Sequence, residues 1–145
     1  MFEKILYPTD FSDVAEKAMA YIKKLKDSGA REVVVLHVID ERGIDRLLRA
    51  IGEEKLEDLK KYRAAETQKN LKRIAEELAE AGLEVTLRVE TGIPVMEILR
   101  VEKEEDVSVL VIGSHGMSNL QELFLGSVSE KVIRRSLTPV FVIKR

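Results

Sequence analysis

Five short apolar runs recur along the chain with longer helix-period segments between them, and this alternation is what most constrains the fold. The runs are "EKILYP" (Glu3–Pro8), "EVVVLHV" (Glu32–Val38), "EVTLRVE" (Glu84–Glu90), "VSVLVI" (Val107–Ile112) and "PVFVI" (Pro139–Ile143). The second is continuously apolar and β-branched, the pattern of a strand covered on both faces. The third alternates apolar with polar residues, as a more exposed edge strand does.

Between the runs the apolar spacing changes to the helical period of about 3.6. Val14, Ala18, Met19, Ile22 and Leu25 share one face of a first helix, with Ser12 or Asp13 as its N-cap and Gly29 as its stop. Leu56, Leu59, Leu71, Ile74 and Leu78 mark a long charged crossover helix from about Glu53 to Ala81, ended by Gly82. Before it, Glu41–Gly52 reads as a partly helical insert with Ile44, Leu47, Leu48 and Ile51 on one side. Pro94 opens a third helix carrying Val95, Ile98 and Leu99, proline being tolerated in a first turn. Ser127–Ser136 forms the last.

Strands alternating with helical crossovers predict an α/β domain spanning residues 1–145, with a parallel sheet, right-handed connections and helices on both faces. Such sheets bind ligands beyond the carboxyl ends of their strands, where strand order reverses. If the order is 3-2-1-4-5, "PTDFS" after strand 1 and "GSHG" after strand 4 face each other across that crevice.

Composition narrows the chemistry. With no cysteine in 145 residues, a disulfide framework, a Cys-based zinc site and thiol catalysis are excluded. Two histidines give no support to a histidine-rich transition-metal site. A net charge of −2 provides no footprint for a nucleic-acid backbone, so no nucleic-acid partner is expected. No basic segment leads a long apolar one and no run reaches about 18 apolar residues, so a cytoplasmic protein without a membrane partner is expected.

Of eight glycines, three fall in the connection "GSHGMSNLQELFLGS" that follows strand 4. A phosphate-binding loop needs converging backbone N–H groups, and glycine accepts positive φ while placing no Cβ in the way. Gly113 would let a ligand approach the main chain and Gly116 would permit the reversal. Gly126 and Ser127 open the last helix, where unpaired amides and the dipole favour an anion, and Ser129 adds a hydroxyl. The competing reading is that "SVSE", Ser127 with Glu130, is a capping box that only starts a helix.

The pattern Gly113-x-x-Gly116, nine residues, then Gly126-Ser127 resembles the ATP-binding signature of the universal stress protein family. The likeness extends to "ILYPTDFS", "LHVIDE", "GIP" and the whole segment from Gly113 to Arg145. What the resemblance implies is a Rossmann-like fold of order 3-2-1-4-5, ATP bound with Mg²⁺ or Mn²⁺, and a homodimer. Carried over by position, Pro8, Thr9 and Asp10 would lie at the adenosine side. Val38 would offer main-chain groups to the adenine. Gly113, Gly116, Gly126, Ser127, Val128 and Ser129 would surround ribose and phosphates.

Asp10 suits a ribose hydroxyl or a metal's water shell, against an Asx turn or N-cap; His115 either donates to a phosphate or faces water; His37 reads as a core or strand-end histidine. The chain lacks G-x-x-x-x-G-K-[ST] and G-x-G-x-x-G, so neither P-loop phosphoryl transfer nor a dinucleotide site is indicated, and no catalytic residue is assigned. The function expected is an ATP-binding switch or stress-protective protein with slow hydrolysis at most, acting on an unknown protein partner. The alternative is a homodimeric interaction module without nucleotide, assembled through Pro139–Ile143 as an edge strand. An aspartate phospho-receiver built on Asp10 and Lys144 fails to account for the loop glycines.

Overall fold

A computed structural model describes residues 1–115 and 125–145. Chain order is β1 (Lys4–Pro8), α1 (Asp13–Leu25), β2 (Glu32–Asp40), α2 (Glu41–Glu80), β3 (Glu84–Gly92), α3 (Pro94–Glu104), β4 (Val109–Gly113), α4 (Ser127–Arg135) and β5 (Val140–Ile143). The strands pair in parallel in the order β3-β2-β1-β4-β5, as expected.

Successive residues of the central strands feed opposite cores, as a period of two requires. Ile5, Tyr7, Val33, Val35, Val109 and Val111 pack with Ala18, Met19 and Ile22 of α1 and Leu71, Ile74 and Leu78 of α2. Leu6, Val34, Leu36, Leu110 and Ile112 pack with Val95, Ile98 and Val101 of α3 and Val132 of α4. Burial on both faces is why these strands read as unbroken apolar runs, whereas β3 at the edge buries only Gly92 and leaves Leu87 and Val89 exposed. Tyr7 is buried with its hydroxyl donating to the Ala15 carbonyl, and burial pushes its pKa up.

Helix boundaries follow local chemistry. Ser12 caps α1, its Oγ accepting from Ala15 N at 3.3 Å. A short 3-10 turn follows, and Gly29 closes it in the left-handed region at φ 104°. The insert is helical up to a kink at Gly52, which has φ 81° and ψ 170°, and the long crossover helix follows directly. β4 starts at Val109, two residues later than the apolar run, because the Ser108 hydroxyl takes the place of a ladder partner. Its Oγ accepts from Lys4 N at 2.9 Å and donates to Lys4 O at 3.0 Å. No helix among the described residues is long and apolar enough to cross a membrane.

Candidate functional site

β1 pairs with β2 on one side and β4 on the other, so the chain reverses its direction of travel across the sheet between β1 and β4. At the carboxyl ends of these strands lies a cleft of about 540 Å³. β2 outruns β1: pairing ends at Pro8 with Leu36, while β2 continues to Asp40. His37 to Asp40 therefore have no strand partner on the β1 side, and this gap forms one end of the cleft.

The apolar wall is built from Leu36, Val38, Pro94, Ile98 and Ile112, and the polar wall from Thr9, Asp10, Ser12, His115, Ser127 and Ser129, with Asp40 at the mouth of α2. Pro8, Thr9, Asp10, Val38, Gly113, His115, Gly126, Ser127, Val128 and Ser129, all singled out from sequence, line this one cleft. Gly116 lies outside the described residues. Asp40, Pro94, Leu36, Ile98 and Ile112 were not anticipated. The last three look like core residues in a linear pattern, and only the topology reveals that their outer ends face a cavity. Asp40 had a signal, an acidic residue at the carboxyl end of a strand.

The loop after β1 is held under backbone strain. Phe11 adopts φ 64°, a left-handed value that a bulky residue rarely takes. Its amide donates to Thr9 Oγ1 at 3.1 Å, and its ring stacks on His37 with centroids 4.6 Å apart. His37 Nδ1 in turn donates to the Thr9 carbonyl at 2.9 Å, so this histidine is the satisfied strand-end residue expected, bracing the loop. Asp10 Oδ1 accepts from Ser12 N at 3.0 Å in an Asx turn, which orients the carboxylate at the cleft. Asp40 caps α2 and meets Arg42 through Nε at 3.0 Å and through its terminal nitrogen at 2.9 Å. Those bonds hold its carboxyl below the usual carboxylate range.

The opposite rim is the start of α4. Its N-cap is Gly126, with no side-chain cap, so the Ser127–Glu130 capping box does not form. Gly126 N donates to Ser114 O at 2.7 Å. The amides of Ser127, Val128 and Ser129 have no hydrogen-bond partner among the described residues. Two expectations are corrected here. Ser129 Oγ donates to Gly113 O at 2.6 Å, so its proton ties α4 to the end of β4 and is not offered to a ligand. Gly113 is not at positive φ; a Cβ there would stand 2.8 Å from Val14 Cγ1 and 3.4 Å from Ala15 N, so packing against α1 by itself requires its bare backbone. Gly126 has φ −63°, a value open to any residue.

His115 is 7 % exposed. Its Nδ1 lies 2.7 Å from Ser114 Oγ, and its Nε2 is buried with no partner among the described residues. No Lys or Arg is among the described residues lining the cleft, and the sequence has none from Gly116 to Phe124. No group of three or more acidic or imidazole side chains among the described residues is arranged to hold a metal ion by itself. The cleft thus offers backbone and imidazole donors at one end and an apolar slot at the other.

The family model of the universal stress proteins matches residues 1–144. The chain belongs to the universal stress protein family. It is similar to universal stress protein MJ0577 of Methanocaldococcus jannaschii, at 42 % identity with 100 % of this chain and 96 % of the relative covered. The solved structure of MJ0577 superposes with a TM-score of 0.87 at 43 % identity, covering 100 % of this chain and 97 % of the other. Universal stress protein YxiE of Bacillus subtilis is 33 % identical over 99 % of this chain and 100 % of its own. More distant universal stress proteins share the fold alone. One, solved in complex with cAMP, has a TM-score of 0.69 and 21 % identity, covering 99 % of this chain and 97 % of the other. Another, from Archaeoglobus fulgidus and solved in complex with dAMP, has a TM-score of 0.65 and 22 % identity, covering 99 % and 98 %.

Proposed function

We propose that this universal stress protein binds ATP in the cleft between β1 and β4 and acts as a nucleotide-dependent switch or stress-protective protein. The observation that carries the reading is that one cleft is lined both by the first residues of α4, whose three leading amides have no partner among the described residues, and by His115, whose buried Nε2 has none there either. A helix N-terminus with free amides and no side-chain cap is a site for an anion. The gap beside Val38, closed by Pro94 and Ile98, suits a flat apolar base, and Asp10 suits a ribose hydroxyl. Relatives of this fold solved with cAMP and with dAMP support a nucleotide of this class.

Hydrolysis is slow or absent in this reading. Phosphoryl transfer rests on cations around the transferring group, and neither the described cleft residues nor the loop sequence supplies Lys or Arg. Mg²⁺ or Mn²⁺ bound with the nucleotide would supply that charge. Such a cation is typically held by phosphate oxygens, water and one or two carboxylates, for which Asp10 is the nearest candidate. Chromatography of the supernatant from freshly purified, denatured protein tests the reading. Co-purified ATP is expected; a clean supernatant together with no uptake of added Mg²⁺-ATP would leave only an interaction module. Steady phosphate release well above that of Asp10→Ala would reverse the assignment as a non-enzyme.

A homodimer through Pro139–Ile143 belongs to the same proposal. β5 is an edge strand, and Leu137 beside it is 96 % exposed. An unpaired edge with apolar neighbours invites a second copy. We place the protein in the cytoplasm, where its nucleotide is available.

A further inference from the structure

We propose that Ser114 is a positioning residue that sets the tautomer of His115, presenting Nε2–H as a donor to a phosphate; this rests on the nucleotide reading above. Ser114 is 1 % exposed and its main chain is pinned on both sides. Its N–H donates to Ile143 O at 2.8 Å, and its carbonyl accepts from Gly126 N at 2.7 Å. The side chain therefore has a fixed origin, and among the described residues its Oγ meets only His115 Nδ1, at 2.7 Å.

Two arrangements of protons fit that contact. If Nδ1–H donates to Oγ, the serine proton has no acceptor among the described residues and Nε2 is a bare acceptor without a partner there, leaving two buried groups unsatisfied. If Ser114 O–H donates to Nδ1, the serine is satisfied and Nε2 carries the ring proton, leaving one unsatisfied group, a donor. Buried polar groups without partners are costly, so the second arrangement prevails.

The remaining donor is on a side chain that lines the cleft, so it awaits an acceptor there. The α4 amides of Ser127, Val128 and Ser129, without a partner among the described residues, are donors too. Donors grouped in this way, the α4 amides and the His115 ring, call for a ligand rich in acceptor oxygens, which describes a phosphate chain. A bare Nε2 in the same place would repel one.

The chain has only two histidines, and they serve as each other's control. His37 Nδ1 faces the Thr9 carbonyl and must carry the proton, so it holds the opposite tautomer. Imidazole ¹⁵N spectra of nucleotide-free protein at neutral pH should show His115 protonated at Nε2 and His37 at Nδ1. Addition of Mg²⁺-ATP should then shift the His115 Nε2–H resonance. In calorimetry, Ser114→Ala should bind Mg²⁺-ATP about tenfold more weakly, the effect of losing one charge-assisted hydrogen bond. His115→Gln, which keeps a donor, should bind more tightly than His115→Ala. Wild-type protein that takes up no Mg²⁺-ATP overturns the function proposed above and the phosphate role with it. Wild-type protein that binds ATP while His115 is protonated at Nδ1, or while Ser114→Ala matches it, overturns this inference alone.

Discussion

Glu102 shows how one side chain joins three elements. It is 6 % exposed, and its Oε1 accepts from Thr138 Oγ1 at 2.6 Å, from Thr138 N at 3.2 Å and from the Ser136 hydroxyl. The carboxylate thus anchors the turn that launches β5 to the last turn of α3. Glu102→Ala would remove the carboxylate that accepts from all three, leaving the half-buried Ser136 and Thr138 only the longer bonds within their own turn, and a loss of about 1–3 kcal/mol is expected in denaturant unfolding. An unchanged midpoint would show that water replaces the carboxylate. Gly113 poses a different question, since sequence assigned its bareness to a ligand and geometry assigns it to Val14. Gly113→Ala should cost about 1–3 kcal/mol through overpacking, and Val14→Ala introduced with it should recover part of that loss. Additive losses in the double mutant would contradict the contact.

At the scale of elements, the kink in α2 is the sharpest local demand of the chain on one residue. Gly52 at φ 81° and ψ 170° occupies a region that is open essentially to glycine alone, and nothing stands within 4 Å of where a Cβ would be. Gly52→Ala therefore isolates the backbone cost, about 1–3 kcal/mol by thermal or denaturant unfolding. A neutral result would mean that the helix runs on through residue 52. The same helix shows what a linear pattern can and cannot carry. Core strands were legible because burial on both faces forces unbroken apolar runs, and the start of α3 was legible because Pro94 tolerates a first turn. The junction at Gly52 was visible as an end to the insert, but the helical state of the segment before it was legible only in part, since its apolar residues remain half-buried or exposed. In the cleft, polar residues at strand ends were legible, but the committed proton of Ser129 was not. Neither was the failed capping box, because both depend on how α4 meets β4 in space.

Across the whole molecule, charge pairing ties the β3 edge to the rest of the fold. Arg88 reaches Glu90 at 2.6 Å, Glu104 at 2.9 Å and Glu105 at 3.1 Å, while Glu105 also meets Lys4 of β1 at 3.2 Å. Bonds from Arg88, then Arg100, hold the carboxyls of Glu90 and Glu104 below their ordinary value. A depressed folded pKa contributes stability that is fully present above the unfolded pKa and lost as pH falls through the folded one. Wild type should therefore lose stability on acidification through and below the usual glutamate range, and Arg88→Met should flatten that acid limb; parallel profiles would show that the network is inert. Ligand binding acts on the same global equilibrium. ATP at about one hundred times its Kd should raise unfolding free energy by about 2.7 kcal/mol. The most direct measurement is calorimetric titration of Mg²⁺-ATP into nucleotide-free protein, beside Gly116→Val. Saturable binding by the wild type, lost in the variant while its oligomeric state is kept, is the predicted result; no binding by the wild type, or equal affinity in both, would contradict it.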